Sequence, residues 1–573
     1  MMLLSLTLLL PLVLLLGAVW RPWRERLVWV LLPAALPALA LALLADDALS
    51  LSLPSLLTGL EFGLDGLRRY FLLLGALLWV LAGGFATAYL RTDERRGRFA
   101  VFWLLTMTGN LGLILAFDLV GFYTAFVLMT FSGYGLVVHT ATPEAIRAGR
   151  IYLVMAVLGE GALLAGLFHA AALSDSLLLS DIRQTIAAAG APNLIISMLL
   201  LGFGVKAGMA LLHFWLPLAH PVAPTPASAV LSGVMIKAGL LGWILFLPFG
   251  ELALPGWGGL MIAVGVLGSL GAAFVGVTQD SPKTILAYSS ISQMGLMLIL
   301  LGVALAVPDA APALLVGVAF YALHHGLAKG ALFMSTAVMP TTSGWPRHAL
   351  WLAVVWPGLA LMGAPLSSGA SAKIAVKSAL PESLPDVFLG DWVKPLLSVG
   401  AIATTVLVMH LLMVLRDQKK AGSTERALSA FWLLTVGSGA LLLWFTPWPE
   451  ALPMHSGLNS GDAAELLWPM AVGVVLYGLW LGSGVRLRIP AADLLVLPEA
   501  VMRVLARRVS QARRGGRLFE DWLIDRVHRL GERVLAGQPS LERLERAMRR
   551  QSAALFMLIL LIFSAIAVAV LLL

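Results

Sequence analysis

Apolar runs of about 20 residues follow one another along almost the whole chain, and each is long enough to cross a bilayer as a helix. About sixteen can be marked, near residues 2–19, 27–45, 69–90, 99–117, 118–139, 151–173, 195–216, 224–248, 257–277, 284–306, 312–338, 348–378, 392–415, 426–447, 465–485 and 551–573. Backbone polar groups in lipid must be satisfied internally, so runs of this length specify helices. The expected fold is an all-α polytopic membrane protein with about 14–16 transmembrane helices. Composition agrees: the 573 residues are 60% hydrophobic and only 12% charged, with a mean hydropathy of +0.91. A soluble domain carries about twice that charged fraction. The opening run MMLLSLTLLLPLVLLLGAVW lacks a basic leader and a small-residue cleavage site, so it is expected to stay as the first span.

The loops order these spans. Those after odd-numbered runs carry RPWRER (21–26), RTDERRGR (91–98), Arg147 and Arg150, DSPK (280–283), Arg347, RDQKK (416–420) and the basic tail. Those after even-numbered runs carry Asp46, Asp47, Glu61, Asp175, Asp181, Glu251, Asp309, Glu382, Asp386, Glu450, Asp462 and Glu465. Basic loops belong on the cytoplasmic side, which puts both termini on the other. A bacterial cytoplasmic (inner) membrane is the expected location.

Two runs contain prolines that should interrupt a helix: 195–221 with Pro217 and Pro221, and 348–378 with Pro357 and Pro365. Irregular backbone at membrane depth is tolerated only inside protein or beside a water-filled cavity. Paired interruptions in corresponding halves point to an ion site. Their spacing suggests two inverted five-helix repeats. The expected division is 1–98 (N-terminal spans), 99–248 (first repeat), 257–415 (second repeat), 416–485 (further spans), 486–550 (a basic amphipathic surface or lateral helix) and 551–573 (a final anchor).

Lysines stand inside the apolar runs. Lys206, Lys237, Lys329 and Lys373 are flanked by apolar and small residues. An ammonium at bilayer depth costs about 2.5 kcal/mol or more, so ion or proton movement is the expected use. Snorkelling to the interface is the plain alternative, strongest for Lys377. His325 lies one turn before Lys329 on the same face, and His324 offers a second relay position. Glu160 is the one carboxylate in the run 151–173; a lysine partner, Lys206 being the candidate, would keep it ionised. Asp118, His213, His220 and Lys377 are candidate inlets or outlets, although the histidines could equally cap a kink and Asp118 could simply face water.

Absences narrow the function. No cysteine is present, which excludes thiolate-ligated clusters and disulfides. The ten histidines form no metal-ligand pattern. Nucleotide-binding and hydrolase motifs are missing, so no metal, cofactor or catalytic site of its own is expected. Of the net charge of +8, most lies in residues 486–550, which hold 15 Arg against 8 Asp or Glu. Beside membrane spans this reads as contact with anionic lipid or partner subunits, not nucleic acid.

Four strings then carry a resemblance: KAGMALLHFWLPLAHPVAPTPASAVLSGVMIKAGL (206–240), TQDSPKTILAYSSISQMG (278–295), HHGLAKGALF (324–333) and GAPLSSGASAK (363–373). They resemble the antiporter-like subunits of respiratory complex I, membrane-bound hydrogenases and Mrp-type cation/proton antiporters. FGLDGLRRYF (62–71) resembles an upstream family string, and the similarity covers about residues 60–415. The resemblance implies two inverted five-helix repeats with broken helices. It implies a proton path along Lys206, Lys237, His325, Lys329 and Lys373, and partner subunits in an energy-converting complex such as an NADH:quinone oxidoreductase-type translocase. The basic segment 486–550 with its closing span resembles the lateral helix of the largest complex I member. The chain departs from the family at Val127 and Leu218, where acids are usual. Glu160, one helix later, is the expected replacement. Transport of H⁺ or Na⁺ is implied, with a proton conductor for inorganic carbon uptake, or a structural scaffold with a vestigial path, as alternatives.

Overall fold

A computed structural model of the chain describes residues 1–45, 49–54, 59–189, 192–342, 345–384, 386–418, 426–445, 460–484 and 487–491. The expected anchor 551–573 and all but the first few residues of the basic segment 486–550 lie outside them. Two compact units divide the chain, 1–52 with 61–493, and 53–60 with 494–573. The buried lysines and histidines all belong to the first.

Among the described residues, 11 helices are long and apolar enough to cross a membrane, and a bent pair, Pro22–Val30 with Pro33–Leu44, makes up to 12. Asn193–Ala207, Arg347–Met362 and Arg426–Leu442 are shorter apolar helices. Together these account for every expected run except 551–573. Among the described residues the full spans number fewer than 14–16 because two runs are broken, one is bent, one contributes only the shorter helix Arg426–Leu442, and 551–573 lies outside them.

Glycine sets the breaks, where the prolines were expected to. Helix Asn193–Ala207 stops at Gly208, whose φ of 70° is left-handed. Leu211 is also at φ 70°. Helix resumes at Trp215–Val222, and Pro217 and Pro221 lie inside it. The Trp215 indole donates at 2.8 Å to Val205 O, a last-turn carbonyl that also accepts Gly208 N–H at 3.3 Å. The second break repeats the pattern: Trp345–Met362 with Pro357 inside it, Gly363 at φ 90°, Leu366 at φ 65°, then Ser368–Ser378. Here Lys373 Nζ covers Met362 O, and Ser367 caps the new helix. Only Pro365 falls within a break.

A third irregularity is a π turn at Leu231–Met235, where Ile236 N–H bonds to Leu231 O at 3.2 Å. It joins Thr225–Val230 to Lys237–Phe246 in a single span whose apolar window is wholly buried, as is that of Pro282–Ala306. Met2–Val19 and Gly461–Gly482 are buried over only 17% and 22% of theirs. Interior helices thus carry the lysines, and peripheral ones turn apolar faces outward, as the cost of charge in lipid requires.

One element departs from an all-α fold. Leu49–Leu53 and Leu60–Leu64 pair as a two-stranded hairpin. Phe117 N–H donates to Glu61 O at 2.7 Å, and Glu61 N–H donates to Asp118 Oδ2 at 2.8 Å.

Candidate functional site

The buried cations fall into two groups. The first surrounds Lys206, in the last turn of Asn193–Ala207, where the carbonyl end of the helix favours a positive charge. Its ammonium donates to Thr130 Oγ1 at 3.2 Å and lies 5.8 Å from the Phe126 ring centre and 5.9 Å from that of Tyr152. Glu160, from Pro143–Leu173, lines the same cavity and is the charge partner of Lys206. Both are buried. The Thr130 hydroxyl that receives Lys206 also interacts with the Glu160 carboxylate. About 20 Å³ of the cavity is open to the centre of a water molecule, enough for water to bridge acid and amine. Tyr152 is fixed by donating to Thr130 O at 2.6 Å and by edge contact with Trp215, 5.1 Å between ring centres.

The second group is a chain of cations and imidazoles. Lys237 Nζ donates to Ser232 O, within the π turn, at 2.8 Å. Lys329 Nζ donates to Leu286 O at 2.6 Å and lies 5.5 Å from the Phe333 ring centre. His325 is within electrostatic range of Lys237, Lys329 and His324. Both its ring nitrogens are buried without a protein partner. His324 Nδ1 meets Ser368 Oγ at 2.9 Å, its ring stacks 6.2 Å from Tyr321, and Lys373 is within its electrostatic reach. Lys373 shares a cavity with Tyr321, Lys377 and Glu465. Lys377 Nζ donates to Glu465 Oε1 at 2.7 Å, at the exposed rim.

The other sequence candidates divide. His220 stacks 4.6 Å from Phe333, feels Lys329 and Lys283, and has neither ring nitrogen bonded; it sits beside the second group. His213 stands in the first break, 6.4 Å from the Tyr288 ring. Asp118 caps Leu119–Val137: Oδ1 accepts Gly121 N–H at 2.7 Å and Oδ2 accepts Glu61 N–H. Its oxygens are occupied in holding a helix to the hairpin. Sequence reasoning missed Thr130, Tyr152, Ser232 and Ser290 as contributors. It also read Glu465 as a loop acid, whereas it lies in helix Ser460–Gly482 against Lys377.

Residues 116–379 match the family described as NADH:quinone oxidoreductase/Mrp antiporter, transmembrane. The chain is an integral membrane protein in which these residues form a domain similar to that of antiporter-like subunits. Hydrogenase-4 component B of Escherichia coli (strain K12) is 31% identical over 293 residues, 49% of this chain and 43% of its own length. Na(+)/H(+) antiporter subunit A1 of Staphylococcus haemolyticus is 30% identical over 304 residues, 51% of this chain and 38% of its own. The chain thus spans less than half the length of these relatives. In fold it is similar to a chain of the Mrp complex from Dietzia sp. DQ12-45-1b, with a TM-score of 0.67 and 21% identity over 99% of this chain and 62% of that one. A chain of the archaeal membrane-bound sulfane sulfur reductase aligns with a TM-score of 0.63 and 20% identity, over 82% of this chain and 99% of its own.

Proposed function

We propose that this chain conducts protons across the bilayer as one subunit of a multisubunit energy-converting complex. The supporting observation is the row of buried amines and imidazoles, Lys237, His325, Lys329, His324 and Lys373, with Glu160 and Lys206 as an acid–amine pair at its first-break end. Amines and imidazoles take up and release protons. When protonated they repel a metal cation, which favours H⁺ over Na⁺ as the cargo. Unbonded nitrogens on His325 and His220 leave room for hydrogen bonds to water, the medium in which a proton travels between side chains too far apart to touch.

Glu160 and Lys206 form the switching pair in this reading. Approach of the carboxylate favours the charged amine, and its protonation weakens that hold. Partner subunits supply the driving reaction, and the basic segment 486–550 meets anionic lipid or those partners. In this reading the membrane is the cytoplasmic membrane of a bacterium, and the arginine-rich loops support an orientation with those loops inside and both termini on the far side.

The test is proton flux in vesicles containing the full chain under an imposed pH gradient. Lys206→Ala and Glu160→Gln are each expected to lower flux at least about a hundredfold, with the protein still folded. Wild-type flux in both would remove the assignment. Separately, a co-purified zinc protein would select the inorganic-carbon alternative, and a co-purified quinone or iron–sulfur subunit the redox one.

A further inference from the structure

Between Lys237 and Lys329 lies a hydrogen-bonded connection built from two serine hydroxyls. Ser232, in the π turn, and Ser290, in Pro282–Ala306, meet Oγ to Oγ at 2.7 Å. Each is fully buried. Ser290 Oγ also reaches Leu286 O at 2.9 Å, and Leu286 O is the carbonyl that Lys329 Nζ contacts. At the other end, Ser232 O is the carbonyl that Lys237 Nζ contacts. One residue, Ser232, therefore presents its carbonyl to one lysine and its hydroxyl to the link leading to the other.

Each hydroxyl has one proton to give. With Ser290 O–H on Leu286 O, the Ser232 O–H must supply the bond between the hydroxyls. With Ser290 O–H on Ser232 Oγ, Leu286 O is left to Lys329 alone. The two arrangements differ at Leu286 O, the anchor of Lys329, whereas Ser232 O holds Lys237 in both. We propose that the Ser232–Ser290 pair is a coupler that ties the π turn, whose carbonyl anchors Lys237, to the turn whose carbonyl anchors Lys329, so that the placement of one ammonium depends on that of the other. This rests on the proton-path reading and assigns that path its coupling element. The serines are positioning residues here. No proton leaves a serine, and a shift of either anchoring turn is passed to the other through the bond between the hydroxyls. A coupler of this kind also accounts for the π turn, which places Ser232 O and Ser232 Oγ on their two partners at once.

The experiment measures passive proton flux in vesicles holding the full chain, with Ser232→Ala, Ser290→Ala and the double variant, each recorded from acid to alkaline pH. Each single variant is expected to lose about tenfold in flux and to shift its pH optimum. The double variant should be no slower than either single, because one link is cut in all three. Ser290→Thr, which keeps the hydroxyl, should recover most of the flux. Ser290→Cys keeps the volume with a weaker donor, and should fall between serine and alanine even where alanine packs poorly. Wild-type flux in both single variants, or losses that multiply in the double, would overturn the coupler. Lys206→Ala run alongside separates the two ideas. If it abolishes flux while the serine variants behave as wild type, only the coupler falls; if it too conducts normally, the proton path itself falls.

Discussion

The two groups of buried lysines are held by opposite means. Lys206 shares a cavity with a carboxylate and is boxed by Phe126 and Tyr152. Lys237, Lys329 and Lys373 are each anchored on a backbone carbonyl, and helix breaks or a π turn lie at two of those anchors. A carbonyl offers a dipole where a carboxylate offers a full charge. The first group is therefore a pair whose members depend on each other, and the second a row whose members depend on the backbone. Breaking one half of a buried pair strands a charge, whereas removing a carbonyl-anchored amine strands none.

That contrast can be broken by stability measurements on the purified chain. Glu160→Gln is expected to lower stability by about 3 kcal/mol, and the double variant Glu160→Gln with Lys206→Met to recover most of it. Lys329→Met should stop proton flux with little loss of stability. Equal thermal losses for Glu160→Gln and Lys329→Met would erase the distinction.

A smaller effect sharpens the comparison of the two breaks. Gly208 and Gly363 are both left-handed, so alanine at either is strained by about 1 kcal/mol. At Gly208 the nearest side-chain atoms to a new Cβ stand 3.8 Å away, whereas at Gly363 the Lys373 side chain lies 2.7 Å away. Gly363→Ala should therefore destabilise the chain more than Gly208→Ala, and should also disturb Lys373. Equal thermal shifts would show that the lysine gives way freely.

The smallest effect lies outside the spans. His139 Nε2 meets Asp93 Oδ2 at 3.1 Å. Burial draws the Asp93 carboxyl upward, but hydrogen bonds from His139 and the Arg95 N–H outweigh it and hold Asp93 below its usual range. Burial also holds His139 below its ordinary value, against the pull of Asp93. Both depressions act in one direction: the unfolded chain binds more protons in acid. Stability should fall as pH drops below about 6.5, where an unfolded histidine charges, and again below about 4 as Asp93 protonates. A thermal midpoint flat across that range, or equally steep in Asp93→Asn, would count against the pair.

Much of this was legible in the sequence. Charges inside apolar runs announce themselves, so Lys206, Lys237, Lys329 and Lys373 and their interior helices could be named. The breaks could be placed in the right runs, but proline was credited with work that left-handed glycine does, because φ is not written in the sequence. Asp118 stood as a candidate inlet that could also simply face water; its bonds to Gly121 N–H and to the hairpin's Glu61 N–H, invisible to helix periodicity, show it capping a helix. Ser232, Ser290 and Thr130 escaped notice because a helical hydroxyl ordinarily bonds back to its own turn, and nothing in spacing distinguishes one that reaches across.

The second break carries one more consequence. A Cβ at Gly369 would sit 1.8 Å from Ala360 O. The two arms of the broken helix are folded so tightly that a single methyl group would wedge them apart, carrying Lys373 away from its anchor. The address of a positive charge is thus written by an atom that residue 369 does not have.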